Sequence, residues 1–165
     1  MLPIVAIRAV GLILTALPSV AGTASGSDGP PFMLASPLPG SATGAAFVAP
    51  ERPWGRGHRG LDFTAAPGQP VSSPVRGIVR FAGMVAGRGV LTIEPAAAPS
   101  FRITLEPVDP RIARGQRVEP GTPVGRVGRG GHCDTRCLHL GVKGPVGYLD
   151  PWPLLTDRGP VLKPP

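Results

Sequence analysis

The chemically loaded residues of this chain are its three histidines, His58, His132 and His139. His58 opens the run His58-Arg59-Gly60-Leu61-Asp62. In extended backbone, residues i, i+2 and i+4 point to one face. His58 and Asp62 then project together, and Gly60 between them has no side chain to fill the gap, which leaves room for an ion. Imidazole nitrogen and carboxylate oxygen both ligate zinc, at roughly 2.0–2.2 Å. Downstream, Cys137-Leu138-His139 places Cys137 and His139 on one face if the segment is a strand. A site of His58, Asp62 and His139 has three protein donors and leaves a fourth position for water, the arrangement of catalytic rather than structural zinc. The competing reading of the same residues is a solvated loop rich in glycine and arginine.

The elements that must position these groups are short strands. At 165 residues the chain suits one domain. Its 24 glycines and 23 prolines argue against a mainly helical fold, because an interior glycine costs a helix about 1 kcal/mol and a proline about 3 kcal/mol. No segment has a helical period. Leu61-Asp62-Phe63, Val75 to Ala82, Val90 to Glu94, Phe101 to Leu105, Val124 to Val127 and Leu138 to Val142 read as strands. Pro95 to Pro99 joins two of them as an enlarged hairpin turn. Gly83 ends the second, and Gly128 to Arg136 is a flexible loop carrying His132 and Cys133. Tyr148 to Trp152 closes the domain, with Leu149 and Trp152 against its core. The expected fold is all-β, a compact antiparallel β sandwich or partly closed barrel of about eight or nine short strands.

Four segments follow from composition. Residues 1–21 read as a signal peptide: Arg8, an apolar run from Ala9 to Leu17 too short to span a bilayer, and Ser19-Val20-Ala21 as a cleavage pattern. An uncleaved anchor is the alternative; after cleavage no stable membrane span remains. Residues 22–50, rich in Gly, Ser, Ala and Pro, read as a flexible linker, with Phe32, Met33 and Phe47 as residues that could dock. Residues 51–155 form the β domain and 156–165 a loose tail. The formal net charge of +7 is carried almost wholly by arginine. The arginines are scattered and hardly interleaved with aromatics, which argues against nucleic acid and for a polyanionic cell surface. Export would place Cys133 and Cys137 in an oxidising compartment, where they could pair as a disulfide. Zinc ligation and free thiols are the other readings.

Taken together, several motifs resemble one family. From about Arg52 to Leu155 the chain is similar to the lysostaphin/LytM-type zinc peptidases, secreted enzymes that cut peptide cross-links of bacterial peptidoglycan. The matching elements are HRGLD at 58–62, AxxGxPV at 65–71, GIVRFAG at 77–83, VxxGxxVG at 118–125, LHL at 138–140 and YLDP at 148–151. The resemblance implies an antiparallel β core with zinc in a groove, and its ligands fall on His58, Asp62 and His139. Two positions depart from the pattern. Cys137 stands where the family carries the first histidine of a His-x-His pair. Glu106, or Pro107 if one residue is skipped, stands where it carries another.

The expected activity is hydrolysis of peptidoglycan cross-link peptides by a zinc-bound water in an extracytoplasmic space. Glu106 is the candidate base and His132 the candidate proton donor. The alternative is a degenerate zinc-binding domain that binds peptidoglycan or regulates another wall hydrolase. VxxGxxVG also occurs in lipoyl and biotinyl carriers, but Lys143 and Lys163, the only lysines, are not placed at an exposed hairpin tip.

Overall fold

A computed structural model describes residues 29–52, 54–133 and 136–157. The expected signal peptide and most of the expected tail lie outside these residues. Ten strands run in chain order: β1 (Gly60–Thr64), β2 (Pro70–Ser72), β3 (Gly77–Val85), β4 (Arg88–Pro95), β5 (Arg102–Glu106), β6 (Val108–Pro110), β7 (Arg117–Val118), β8 (Pro123–Val127), β9 (Cys137–Gly144) and β10 (Gly147–Leu149). Among the described residues the only helical element is a single 3-10 turn, Trp152–Leu154. Every strand pair is antiparallel. The larger sheet has the order β1-β9-β5-β4-β3-β7, with β10 on β9, and the smaller is β2-β8-β6. This is the all-β antiparallel fold that the strand pattern predicts.

Alternation builds the core. Ile103 and Leu105 of β5, Leu138, Leu140 and Val142 of β9 and Leu61 and Phe63 of β1 are buried on one face of the larger sheet. Val71, Val108, Val124 and Val127 join the same cluster from the smaller sheet. The residues between them on β1, β5 and β9 face the other way. That second face carries Asp62, His139 and Glu106.

β3 differs from its expected bounds. It starts at Gly77, passes through Gly83 and ends at Val85. Ala86 and Gly87 both have positive φ, 47° and 82°, the pattern of a two-residue hairpin turn with the twist of the flanking strands. Apolar content alone places the end of this strand too early, because Gly83 is an interior residue here. The enlarged hairpin of β4 and β5 has the expected form, with Leu91 opposite Leu105. Leu149 and Trp152 pack on the core as expected.

The linker expected over 22–50 is corrected for its described part. Phe32, Leu34 and Leu38 are core residues, Leu34 with no exposed surface. The Phe32 ring meets that of Phe101 edge-on. Leu34 bridges Leu155, and its carbonyl accepts the Thr156 N–H at 2.9 Å. Residues 42–48 then lie along the free edge of β1. Gly44 N–H donates to the Asp62 carbonyl, Asp62 N–H to that of Ala45, and Val48 and His58 exchange both backbone bonds. A sheet edge leaves N–H and C=O groups unpaired, and this strap satisfies them. Few large residues suffice, because backbone bonds do the rest. Met33 stays half exposed and Phe47 is only partly covered.

Leu34→Ala should therefore lower unfolding free energy by about 2–5 kcal/mol, the cost of emptying a buried leucine site. Met33→Ala should cost well under 1 kcal/mol, as a substitution of an exposed side chain. Urea denaturation of the two variants makes the comparison, and equal midpoints would return the segment to the status of a linker.

Candidate metal centre

β9 lies between β1 and β5, and its register fixes the site. Asp62 is opposite His139 on one side and Glu106 is opposite His139 on the other. Directly opposed residues of antiparallel strands present side chains on the same face about 5 Å apart. Three neighbouring strands thus set a carboxylate, an imidazole and a second carboxylate in a row. His58 comes from the extended segment just before β1, held by its two backbone bonds to Val48.

The expected gap at Gly60 is present, but it is taken by protein. The His139 ring lies over Gly60 so closely that a Cβ there would sit 2.5 Å from His139 Nε2 and 2.3 Å from the Leu140 carbonyl oxygen. The missing side chain leaves the space that this imidazole occupies.

The donor atoms converge. His58 Nε2 is 3.1 Å from Asp62 Oδ1 and 3.1 Å from His139 Nδ1, and His139 Nδ1 is 2.9 Å from Asp62 Oδ1. His132 Nε2 is 2.8 Å from the other carboxylate oxygen, Oδ2. One donor atom from each of the four residues lies within 4.8 Å of all the others. The His58 tautomer follows from its outer contact. Nδ1 is 2.7 Å from the Ala46 carbonyl oxygen, which can only accept, so Nδ1 donates. In the neutral ring Nε2 then keeps its lone pair, aimed at the cluster. A histidine ligand whose other nitrogen donates to a carbonyl is the usual support of a metal site.

Asp62 is buried. Burial is the largest influence on its carboxyl and works against ionisation. Hydrogen bonds to His139 and His132, with the charge of His58 and His132, outweigh it and hold the carboxyl below its ordinary range. The site thus sets an ionised carboxylate among three imidazole nitrogens, which become ligands when they release their protons. Four donors with bonds of about 2.0–2.1 Å in a tetrahedron are roughly 3.3–3.4 Å apart. The separations among His58, Asp62 and His139 are close to these edges, so the residues present could hold a divalent cation.

The other expected site residues are placed as follows. Cys133 and Cys137 form a disulfide, which removes both thiols as ligands. Glu106 lines an open cleft of about 460 Å³ with His58, His139, Thr104 and Tyr148. Its carboxylate is 3.0 Å from the Arg88 guanidinium. Arg88 and Ala46 are contributors that sequence reasoning missed. Arg88 is the first residue after the β3–β4 turn, and Ala-Gly there is a weaker hairpin signal than Asn-Gly. Ala46 acts through its backbone alone, so its side chain carries no sign of the role.

A family model described as Peptidase family M23 matches residues 56–151. Uncharacterized proteins of Mycobacterium tuberculosis and Mycobacterium bovis are 38% identical over 124 residues, 72% of this chain and 49% of theirs. The chain therefore spans about half the length of the curated relatives it matches. Among solved structures, Helicobacter pylori Csd3 is similar with a TM-score of 0.63 at 25% identity, over 76% of this chain and 35% of that one. A zinc containing peptidase from Vibrio cholerae is similar with a TM-score of 0.56 at 26% identity, over 67% and 36% of the two chains. The catalytic domain of the antimicrobial peptidase lysostaphin from Staphylococcus simulans has a TM-score of 0.62 over 70% and 92%. At 20% identity that last likeness speaks for the fold alone.

Gly60→Ala tests the packing of the centre. The added methyl must displace the His139 ring, and zinc affinity measured by chelator competition should fall by about tenfold or more. Gly44→Ala, whose Cβ would meet the Asp62 carbonyl oxygen at an ordinary 3.8 Å, should leave it unchanged. Wild-type affinity in Gly60→Ala would show that the ring does not need that space.

Proposed function

The chain belongs to peptidase family M23, and on that premise we propose that it is a zinc metallopeptidase-like domain acting on bacterial peptidoglycan. The observation that carries the reading is the convergence of His58 Nε2, His139 Nδ1 and the Asp62 carboxylate within 3.1 Å of one another. These three would hold the ion. When bound, zinc supplies Lewis-acid polarisation of a carbonyl and lowers the pKa of a water to about 7.

The remaining work falls to the chain's own groups. The Ala46 carbonyl fixes the His58 ring through Nδ1. Glu106 is the base: its carboxylate faces the same cleft and accepts a proton from the attacking water. Arg88 orients that carboxylate and offers further N–H donors to an oxyanion formed on the substrate carbonyl. His132, the sequence's candidate proton donor, lines the same cleft, with Nε2 2.8 Å from Asp62 Oδ2. An extracytoplasmic setting agrees with the disulfide and with the leader pattern of residues 1–21.

A second reading has its own support. Cys137, at the position of a family histidine, is buried and locked in the disulfide, and Glu106 is committed to Arg88. A domain so altered would bind peptidoglycan or regulate another wall hydrolase without cutting.

Incubation of the zinc-loaded chain with purified peptidoglycan, with and without a dithiol because the disulfide borders the cleft, separates the two readings. The peptidase reading expects new amino termini, abolished by chelator and by His58→Ala. It also expects Glu106→Gln to slow their release by about 10²–10⁴-fold. Zinc-loaded protein that binds the wall and releases nothing under either condition establishes the binder.

A further inference from the structure

We propose that His132 is a fourth metal donor, presented by a loop that the Cys133–Cys137 disulfide closes, so that the oxidised chain holds its ion in a filled, latent shell. This rests on the zinc reading above and adds a regulator to the same site.

The His132 ring lies beside those of the two ligand histidines. The three ring centroids are 4.8, 5.2 and 5.3 Å apart, a nearly equilateral triangle, and the ring planes are splayed by 63° to 88°. His58 and His139 meet Oδ1 of Asp62, and His132 meets the other oxygen, Oδ2. It is also the outermost of the four. Its side chain is 47% exposed, against 18% for His58 and 12% for His139. Its donor atom lies within 4.8 Å of those of His58, Asp62 and His139, close enough to supply the fourth donor that a three-donor site would take from water. Sites with four protein donors are closed, and sites with three retain a water.

The loop holds His132 there by covalent means. His132 directly precedes Cys133. Cys137 is buried in β9, two residues before His139 and opposite Thr64. The bridge therefore ties the backbone beside His132 to the strand that carries His139. On the other side, Gly130 and Gly131 take positive φ, 90° and 84°, beside Arg88 and Pro107. Cysteine at 137 anchors this tether on β9.

Release is a two-electron step. A dithiol reductant transfers two electrons and two protons to the Sγ atoms of Cys133 and Cys137. The S–S bond breaks, two thiols form and the reductant closes to its own disulfide. Without the bridge, Cys133 no longer holds to Cys137 through its side chain, and His132 can leave the fourth position.

Zinc X-ray absorption of the full chain counts the imidazoles directly. The oxidised wild type should show three, and His132→Ala two with an added oxygen donor. With cobalt in place of zinc, acetohydroxamate should shift the visible spectrum of His132→Ala and of Cys133→Ser/Cys137→Ser, and leave oxidised wild type unchanged at the same concentration. Two imidazoles in the oxidised wild type, or equal hydroxamate shifts in all three proteins, overturn the fourth-donor assignment while the zinc reading stands. Failure of wild type to take up zinc overturns the zinc reading itself, and this inference with it.

Discussion

The carboxylate of Asp62 is the group on which the rest of the structure depends. An ionised carboxyl in a buried position is unfavourable unless charge and hydrogen bonds surround it. Here three imidazoles meet its two oxygens, and the backbone on both sides of the residue is bonded to the strap at Gly44 and Ala45. Each supporting element answers to that requirement. β9 brings His139 opposite, the strap orients His58 through Ala46, and the disulfide loop brings His132. The apolar side of the same strands supplies the rigidity: Leu61, Phe63, Leu138 and Leu140 are fully or almost fully buried directly beneath the site.

Much of this was legible in the residues themselves. Period-two alternation marks β1, β5 and β9, and once those strands pair, His58, Asp62 and His139 must share a face. The pair Cys133 and Cys137 was legible as a bridge, though spacing alone left metal ligation and free thiols open. Two things were hidden. The strap has only Phe32, Leu34 and Leu38 as apolar anchors, scattered among small residues and prolines. Composition of that kind describes unfolded chain equally well, and the backbone hydrogen bonds that join those anchors in holding the segment, to β1 and to Ser72, Pro74, Leu154 and Thr156, leave no mark in the sequence. The Arg88–Glu106 pair was hidden for another reason: it depends on where a hairpin turns, and Ala86-Gly87 gives that turn little advertisement.

The two departures from the family pattern acquire a shared physical sense in the fold. Positions 137 and 106 flank His139, one on its own strand and one on the next. Each carries a side chain with a fixed partner, Cys133 for Cys137 and Arg88 for Glu106. His139 therefore has a charged pair on one flank and a covalent tie on the other.

The strap also bears on where the folded unit can be cut. The residues matched to the family begin at 56, yet Leu34 forms a parallel bridge with Leu155 and lies in the core. A recombinant fragment trimmed to the matched stretch would strip the edge of β1, wet the leucines beneath and leave the His58 imidazole free to rotate about its side-chain bonds. Such a fragment would misrepresent the centre even where it folded, because the carbonyl that sets the ring belongs to the portion discarded.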